Sequence, residues 1–370
     1  MRIMFVAGGT GGHINPAVAV ATEIRRLDPT SEILFVGTEG RMETQIVPKA
    51  GFEIKTVKMN GLSRKMTIKG IIENIKTVIL TLKASLTSKK IIKDFKPDVV
   101  VGFGGYVTGP VLNAAVKMGI KTAIHEQNAF PGVANKALAK KVDKVMLTSP
   151  QAEKYMSCKN PPVVTGLPVR REIVTADRDF ARASLGIKNN EMLVLSMGGS
   201  LGADAINNAV VEMLALLKKE ENIRFLHATG KFGKWVPDKL KEKGVAFGNG
   251  TNIEIREYID NMNVCLPACD LVISRAGASS ISEIQALSKP SILIPSPNVA
   301  ENHQFHNAMT LAEHDGAVLI EEKDLSGKAL AEKIMELKND KSKLMNISVN
   351  AGKNAKTDAL SKICRIITCL

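Results

Sequence analysis

RIMFVAGGTGGHINP, residues 2–16, runs from six strand-forming residues into a turn that holds four glycines and a histidine. Glycines at a strand-to-helix turn let backbone N–H groups approach a ligand, and they aim the next helix's N-terminus at an anion such as phosphate. The sequence predicts Asn15 as the cap of that helix, with Pro16 in its first turn. The dinucleotide fingerprint G-x-G-x-x-G is not met, because Gly9-Thr10-Gly11 is followed by Gly12-His13-Ile14, and the P-loop lysine is missing. A nicotinamide enzyme and a nucleoside triphosphatase are therefore disfavoured. His13 stands beside the glycines, where its imidazole could accept a proton or, when charged, pair with phosphate oxygens.

Outward from this stretch, strand-like and helix-like runs alternate: EILFVG (32–37), METQIVPKA (42–50), DVVVGF (98–103), TAIHEQ (122–127) and KVMLT (144–148). After the proline-rich PPVVTGLPV (161–169) the pattern restarts with MLVLSMGGS (192–200), IRFLHATG (223–230), LVISRAG (271–277), SSISEIQAL (279–287) and SILIPSPN (291–298). This alternation predicts an α/β protein with parallel sheets covered by helices. A chain of 370 residues exceeds one compact core. The expected domains are 1–163 and 164–344, with a helix at about 345–370 returning to the first. The strand-then-glycine motif recurs at LSMGGSLGA and GFGGYVTGP. Two similar domains should therefore face a central cleft with their glycine turns at the carboxyl ends of the strands, where open sheets bind ligands.

Composition narrows the class. Apolar residues at 45% and charged ones at 24% describe a globular protein. No secretory leader pattern or membrane-length apolar run is evident, so a cytoplasmic location is expected. Five cysteines, with Cys265 and Cys269 as C-x3-C, fit neither a disulfide framework nor a zinc site and read as reduced thiols. A net charge of +13 predicts an anionic partner. From Lys65 to Lys96 there are eight lysines against Glu73 and Asp94. The only aromatic residue in that stretch is Phe95, so nucleic acid is not the expected partner.

GGTGGH at the start, GGYVTGP (104–110), HEQN (125–128), GGSLGA (198–203), SRAGASSISE (274–283) and NHQFHNA (302–308) together resemble the MurG family. These peptidoglycan transferases move N-acetylglucosamine from UDP-GlcNAc onto lipid I, undecaprenyl-diphospho-N-acetylmuramoyl-pentapeptide, to give lipid II. The resemblance covers nearly the whole chain. It implies the GT-B fold, two Rossmann-like domains about a central cleft, and an inverting transferase without a tightly bound metal or other cofactor. Dipoles and hydrogen-bond donors would then stabilise the departing UDP.

The same resemblance distributes roles. On the donor side, Ser200 would meet the phosphates, Arg170 the diphosphate and Ile259 the uracil. Ala278, Ser279 and Ser280 would begin a helix beside the nucleotide, and Glu283 would accept bonds from the ribose diol. Gln304 and Asn307 would bind the sugar hydroxyls, and Thr10, Gly11, Gly12 and Asn128 would add donor contacts. On the acceptor side, His13 would sit near the lipid I diphosphate, with Tyr106, His125, Glu126, Asn128 and Asn135 around the attacking hydroxyl. Inversion requires the muramoyl 4-hydroxyl to attack the anomeric carbon opposite UDP while a base takes its proton. His13 and Glu126 are the candidate catalytic residues, His13 preferred because imidazole exchanges protons near neutral pH. The chain departs from the family at Leu167, where asparagine is frequent, and at Leu201, where glutamine is, which puts donor contacts in question.

A lipid-anchored acceptor implies a peripheral protein on the cytoplasmic side of the cell membrane, near other proteins of cell-wall synthesis. Ile71, Ile75, Val78, Ile79, Leu82 and Leu86 recur near helical spacing, interleaved with Lys69, Lys76, Lys83, Lys89 and Lys90. Periodicity alone favours a core-facing helix with a solvated lysine face, and the acceptor's place in the membrane brings the reading of an anionic interface level with it. Rival readings are another nucleotide-sugar transferase acting on lipid, a UDP-GlcNAc epimerase, and a nucleotide-sugar sensor. The epimerase leaves the basic stripe unexplained. The sensor has no use for His13, Glu126 and Tyr106.

Overall fold

The computed structural model describes residues 1–59 and 68–370, apart from the side chains of 68–79 and 82. In chain order the first half runs β1 (Arg2–Ala7), α1 (Gly11–Leu27), β2 (Glu32–Thr38), α2 (Glu43–Lys49), β3 (Glu53–Val57), α3 (Ile68–Phe95) and β4 (Val99–Gly104). It continues with α4 (Thr108–Lys117), β5 (Lys121–Glu126), α5 (Val133–Ala139), β6 (Lys144–Leu147) and β7 (Val163–Val164). The second half runs α6 (Arg171–Val174), α7 (Arg178–Ser184), β8 (Met192–Met197), α8 (Asp204–Leu217), β9 (Ile223–Ala228), α9 (Val236–Glu242), β10 (Ile253–Arg256) and α10 (Met262–Ala268). Then come β11 (Leu271–Ser274), α11 (Ala278–Ala286), β12 (Ser291–Leu293), α12 (His303–Ala312), β13 (Val318–Leu319), α13 (Gly327–Asn339), α14 (Lys341–Gly352) and α15 (Ala359–Thr368).

The chain divides into two units, residues 1–168 with 357–370, and residues 169–356. The division falls five residues beyond the expected 163/164. Of the terminal segment only 357–370 returns to the first unit, because α14 buries Ile347 and Ala351 in the second. α15 is strongly amphipathic and buries Ile363, Cys364 and Ile367 in the first unit's core, in contact with α1. Burying side chains of this size contributes about 1.5–3 kcal/mol each.

Each sheet is wholly parallel. The first has the order β3-β2-β1-β4-β5-β6-β7 and the second β10-β9-β8-β11-β12-β13. In both, the opening strand lies inside the sheet and the order reverses beside it, at β1/β4 and at β8/β11, which is where doubly wound sheets bind ligands. The apolar runs form the central strands: β1 and β4 are buried almost end to end, and Phe5 packs between Phe35 at 5.3 Å and Phe103 at 6.0 Å. All five cysteines are free thiols.

Within the lysine-rich α3, Ala84, Ser88 and Ile92 are buried while Lys83, Leu86 and Lys90 are exposed. The side chains of Lys69, Ile71, Ile75, Lys76, Val78, Ile79 and Leu82 lie outside the described residues. Among the described residues no helix is long and apolar enough to cross a membrane.

Candidate active site

In the first unit, β1 carries Gly8 and Gly9 to the carboxyl edge of the sheet, and a φ of +86° at Gly9 turns the chain into α1. That helix starts five residues earlier than Asn15 would set it: Thr10 is the N-cap, Gly11 the first helical residue, and Pro16 lies inside. Thr10 makes no side-chain capping bond, so the helix opens with uncapped N–H groups at its positive end.

His13 folds back over this turn. Its Nδ1 lies 3.0 Å from the Gly8 carbonyl and 3.3 Å from Thr10 Oγ1. A carbonyl only accepts, so Nδ1 carries the proton and the neutral ring keeps its lone pair on Nε2. The turn after β4 backs the ring, since a Cβ on Gly104 would stand 2.7 Å from His13 Cδ2. A Cβ on Gly105 would stand 2.4 Å from the Gly8 carbonyl oxygen. GGTGGH and GGYVTGP are thus one interlocked pair of turns, and Tyr106, 61% exposed, stands on its rim.

The residues after β5 depart from the expected roles. Glu126 is 1% exposed and its carboxylate accepts four N–H bonds: Oε1 from Asn128 N (2.9 Å) and Nδ2 (3.2 Å), Oε2 from Gly132 N (3.1 Å) and Asn135 Nδ2 (2.8 Å). No lone pair is left for an acceptor's proton, so in this arrangement Glu126 anchors the 127–132 loop. His125 is 0% exposed, donates from Nε2 to the Gly166 carbonyl at 2.9 Å, and has Gln127 Nε2 3.3 Å from Nδ1. It stacks on Phe103 and burial pulls its imidazole down to about 4, which makes it a neutral packing and positioning group, not an acceptor contact. Asn135 is buried too and spends its amide on Glu126. Asn128 stays half-buried.

The second unit repeats the device. The turn after β8 takes positive φ at Gly199 and Gly202, and a Cβ on Gly202 would stand 2.2 Å from the Thr229 carbonyl oxygen, so the backbone segments touch. Ser200 is exposed on this turn and its hydroxyl has no partner among the described residues. After β11, Gly277 is the N-cap of α11 without a side-chain bond, and Ala278, Ser279 and Ser280 form the half-buried first turn. Glu283 lies one turn further, where Arg170 donates to its Oε1 from Nε at 3.2 Å and Nη2 at 3.1 Å. Burial pushes the Glu283 carboxyl above its ordinary range, and the Arg170 charge opposes that rise.

Three donor expectations change. Ile259 is 3% exposed within the apolar cluster around Leu193 and Leu266, so a base can meet only its main chain. Asn307 is buried and donates to the Ala276 carbonyl at 3.2 Å, which holds the turn before α11 and does not leave that amide for sugar hydroxyls. Gln304 Oε1 accepts from Ser296 N at 2.9 Å, which leaves its NH2 group as the ligand-facing candidate. Leu167 is buried and Leu201 exposed on the glycine turn. Asp177 and Asp179, an Asp-x-Asp pair, serve the start of α7, where Asp177 accepts from Phe180 N at 2.7 Å. Among the described residues no group of three or more His, Cys, Asp or Glu is placed to hold a metal ion.

Two contributors escape sequence reading. Arg275 donates to the Ile294 and Pro295 carbonyls, each at 3.2 Å, and pairs with Glu322, so it fixes the β11 and β12 exits together. Glu43, fully buried at the start of α2, accepts from Thr38 N at 2.9 Å and Gly9 N at 3.2 Å. An acid at a helix start reads from sequence as a solvated first-turn charge.

Comparison with known proteins bears on the fold and the family. The family model of the glycosyltransferase family 28 N-terminal domain matches residues 3–147, and that of the C-terminal domain matches 193–363. UDP-N-acetylglucosamine–N-acetylmuramyl-(pentapeptide) pyrophosphoryl-undecaprenol N-acetylglucosamine transferase of Desulforamulus reducens is 42% identical over 99% of this chain and 98% of its own. The protein of that name from Acetivibrio thermocellus is 43% identical over 99% of this chain and 97% of its own. The crystal structure of Acinetobacter baumannii MurG superposes with a TM-score of 0.81 at 27% identity, over 100% of this chain and 99% of that one. With both family 28 domains in order and this identity along nearly its full length, the chain belongs to the MurG family of N-acetylglucosamine transferases.

Proposed function

We propose that this enzyme transfers N-acetylglucosamine from UDP-GlcNAc to the muramoyl 4-hydroxyl of lipid I, with inversion, and that His13 is the base. The observation that carries the base assignment is the His13 Nδ1 contact to the Gly8 carbonyl at 3.0 Å, which leaves Nε2 as the proton acceptor. Glu126, the rival base, has all its acceptor capacity committed to four N–H donors. The acceptor hydroxyl gives its proton to His13 Nε2 as its oxygen bonds to the anomeric carbon and the UDP oxygen leaves. Tyr106 and Asn128 border the acceptor.

The second unit holds the donor. Ser200 and the uncapped start of α11 take the phosphates, Arg170 takes the charge that develops on UDP, Glu283 Oε2 accepts from the ribose, and the Gln304 NH2 group meets the sugar. Within the first unit, the Thr10–Gly12 turn presents N–H donors of the same kind. The lysine-rich stretch Lys65–Lys96 supports a peripheral position on the anionic cytoplasmic face of the membrane, where lipid I and other cell-wall enzymes reside.

Radiolabelled sugar transfer from UDP-GlcNAc to a short-chain lipid I analogue, repeated with EDTA, tests the reading. Transfer should persist in EDTA, and His13→Ala should abolish most turnover while UDP-GlcNAc still protects the protein thermally. Near-normal transfer by His13→Ala would remove the base assignment.

A further inference from the structure

The Gly8 carbonyl that receives His13 Nδ1–H and the Gly9 N–H that reaches Glu43 Oε2 belong to one peptide group. Its oxygen lies 3.0 Å from the imidazole and its nitrogen 3.2 Å from the carboxylate. The chain of contacts is therefore carboxylate, peptide, imidazole. The surroundings are shaped to hold it. A Cβ on Gly8 would stand 2.6 Å from Glu43 Oε1, and a Cβ on Gly37 would stand 2.6 Å from Glu43 Cγ, so both glycines make room for the buried side chain. Gly105 leaves room for the Gly8 carbonyl in the same way. No cation is paired with Glu43 among the described residues, and both its oxygens accept backbone N–H groups, as an ionised carboxylate does.

We propose that Glu43 is a positioning residue that acts on His13 through the Gly8–Gly9 peptide. A carboxylate on the N–H end polarises the amide and makes its carbonyl a stronger acceptor at the other end. That holds the proton on His13 Nδ1, fixes the ring plane and directs the lone pair of Nε2 to the acceptor. When Nε2 takes the hydroxyl proton, Nδ1 keeps its own, and the positive ring is stabilised by the negative charge beyond the peptide. No proton passes to Glu43. The arrangement parallels a carboxylate that orients a histidine directly, with one amide inserted. The inference rests on reading His13 as the base.

The test uses full-length protein with 15N-labelled histidine and backbone. In the unaltered protein, imidazole 15N shifts should report neutral His13 as the Nδ1–H tautomer, with the Gly9 amide proton downfield of ordinary glycine amides. An Nε2–H tautomer, or a Gly9 proton at the random-coil position, overturns the proposal without any variant. Glu43→Gln keeps the shape but offers one acceptor oxygen where two N–H groups need one. It should move the Nδ1 proton signal upfield and lower kcat roughly tenfold, with KM for UDP-GlcNAc little changed. Glu43→Asp should restore part of both. An unchanged Nδ1 signal in Glu43→Gln overturns the proposal even if turnover falls. Conversely, a moved signal with unchanged kcat upholds the Glu43 contact and sinks the base reading of His13.

Discussion

Arg170 places both Nε, at 3.2 Å, and Nη2, at 3.1 Å, on a single oxygen of Glu283, and Oε2 of that carboxylate is left without a partner among the described residues. The Arg170 side chain is 52% exposed, so the pair adds little to stability, whereas its charge matters when a diphosphate arrives. Arg170→Ala should raise KM for UDP-GlcNAc about tenfold or more while the melting temperature moves by no more than about 2 °C. Paired donor-saturation kinetics and thermal melts check both halves.

Glu126→Gln separates an anchor from a base. Glutamine cannot accept four N–H bonds, so two donors, part-buried or buried, lose their acceptor and stability should fall by about 1–3 kcal/mol. Urea unfolding of the variant measures this. Full stability with lost turnover would instead restore Glu126 as a catalytic candidate.

Gly104→Ala puts a methyl group where φ is +114° and where it would meet His13 Cδ2 at 2.7 Å and Nε2 at 2.9 Å. The ring has to move, and displacement of a reacting group by about 1 Å costs on the order of a hundredfold in rate. Transfer should drop by that order, with thermal protection by UDP retained.

His125 and His227 are fully buried, and burial pulls each imidazole down to about 4. An unfolded histidine titrates near 6.5. Between those values the unfolded chain binds more protons, so this stabilisation is complete above about pH 6.5 and is lost as pH falls toward about 4. Urea midpoints should therefore decline from about pH 7 to about pH 5, and His125→Gln should flatten the slope.

Binding to anionic vesicles should weaken with salt and with charge reversal at Lys76 and Lys83, each lysine contributing about 1 kcal/mol near the surface. Flotation with anionic and neutral vesicles reads this directly. Equal binding to both would remove the membrane role of the lysine-rich stretch.

Much of the framework is local and therefore legible. The apolar runs RIMFVA, VVVGF and LVIS become buried strands because continuous hydrophobicity suits a sheet covered on both faces. The edge strands β3 and β10 were not evident, because EIKTV and IEIR mix polar and apolar residues and half their side chains meet solvent. The helix start at Gly11 was misplaced by Asn15 and Pro16, whose capping preference yields here to the sheet-edge turn.

By itself the sequence determined two parallel sheets, the glycine turns at their carboxyl edges and the residue types gathered there, since periodicity and backbone freedom are properties of neighbouring residues. Only the tertiary structure decided which polar groups are spent and which stay open. Residue type alone favours His13 over Glu126 as base, and the fold separates them, one with Nε2 open and the other saturated by Asn128, Gly132 and Asn135. Glu43 becomes visible only because folding brings it to Gly9, 34 residues away in the chain. A buried carboxylate, amide or imidazole takes its role from the partners that replace water, and folding alone chooses those partners.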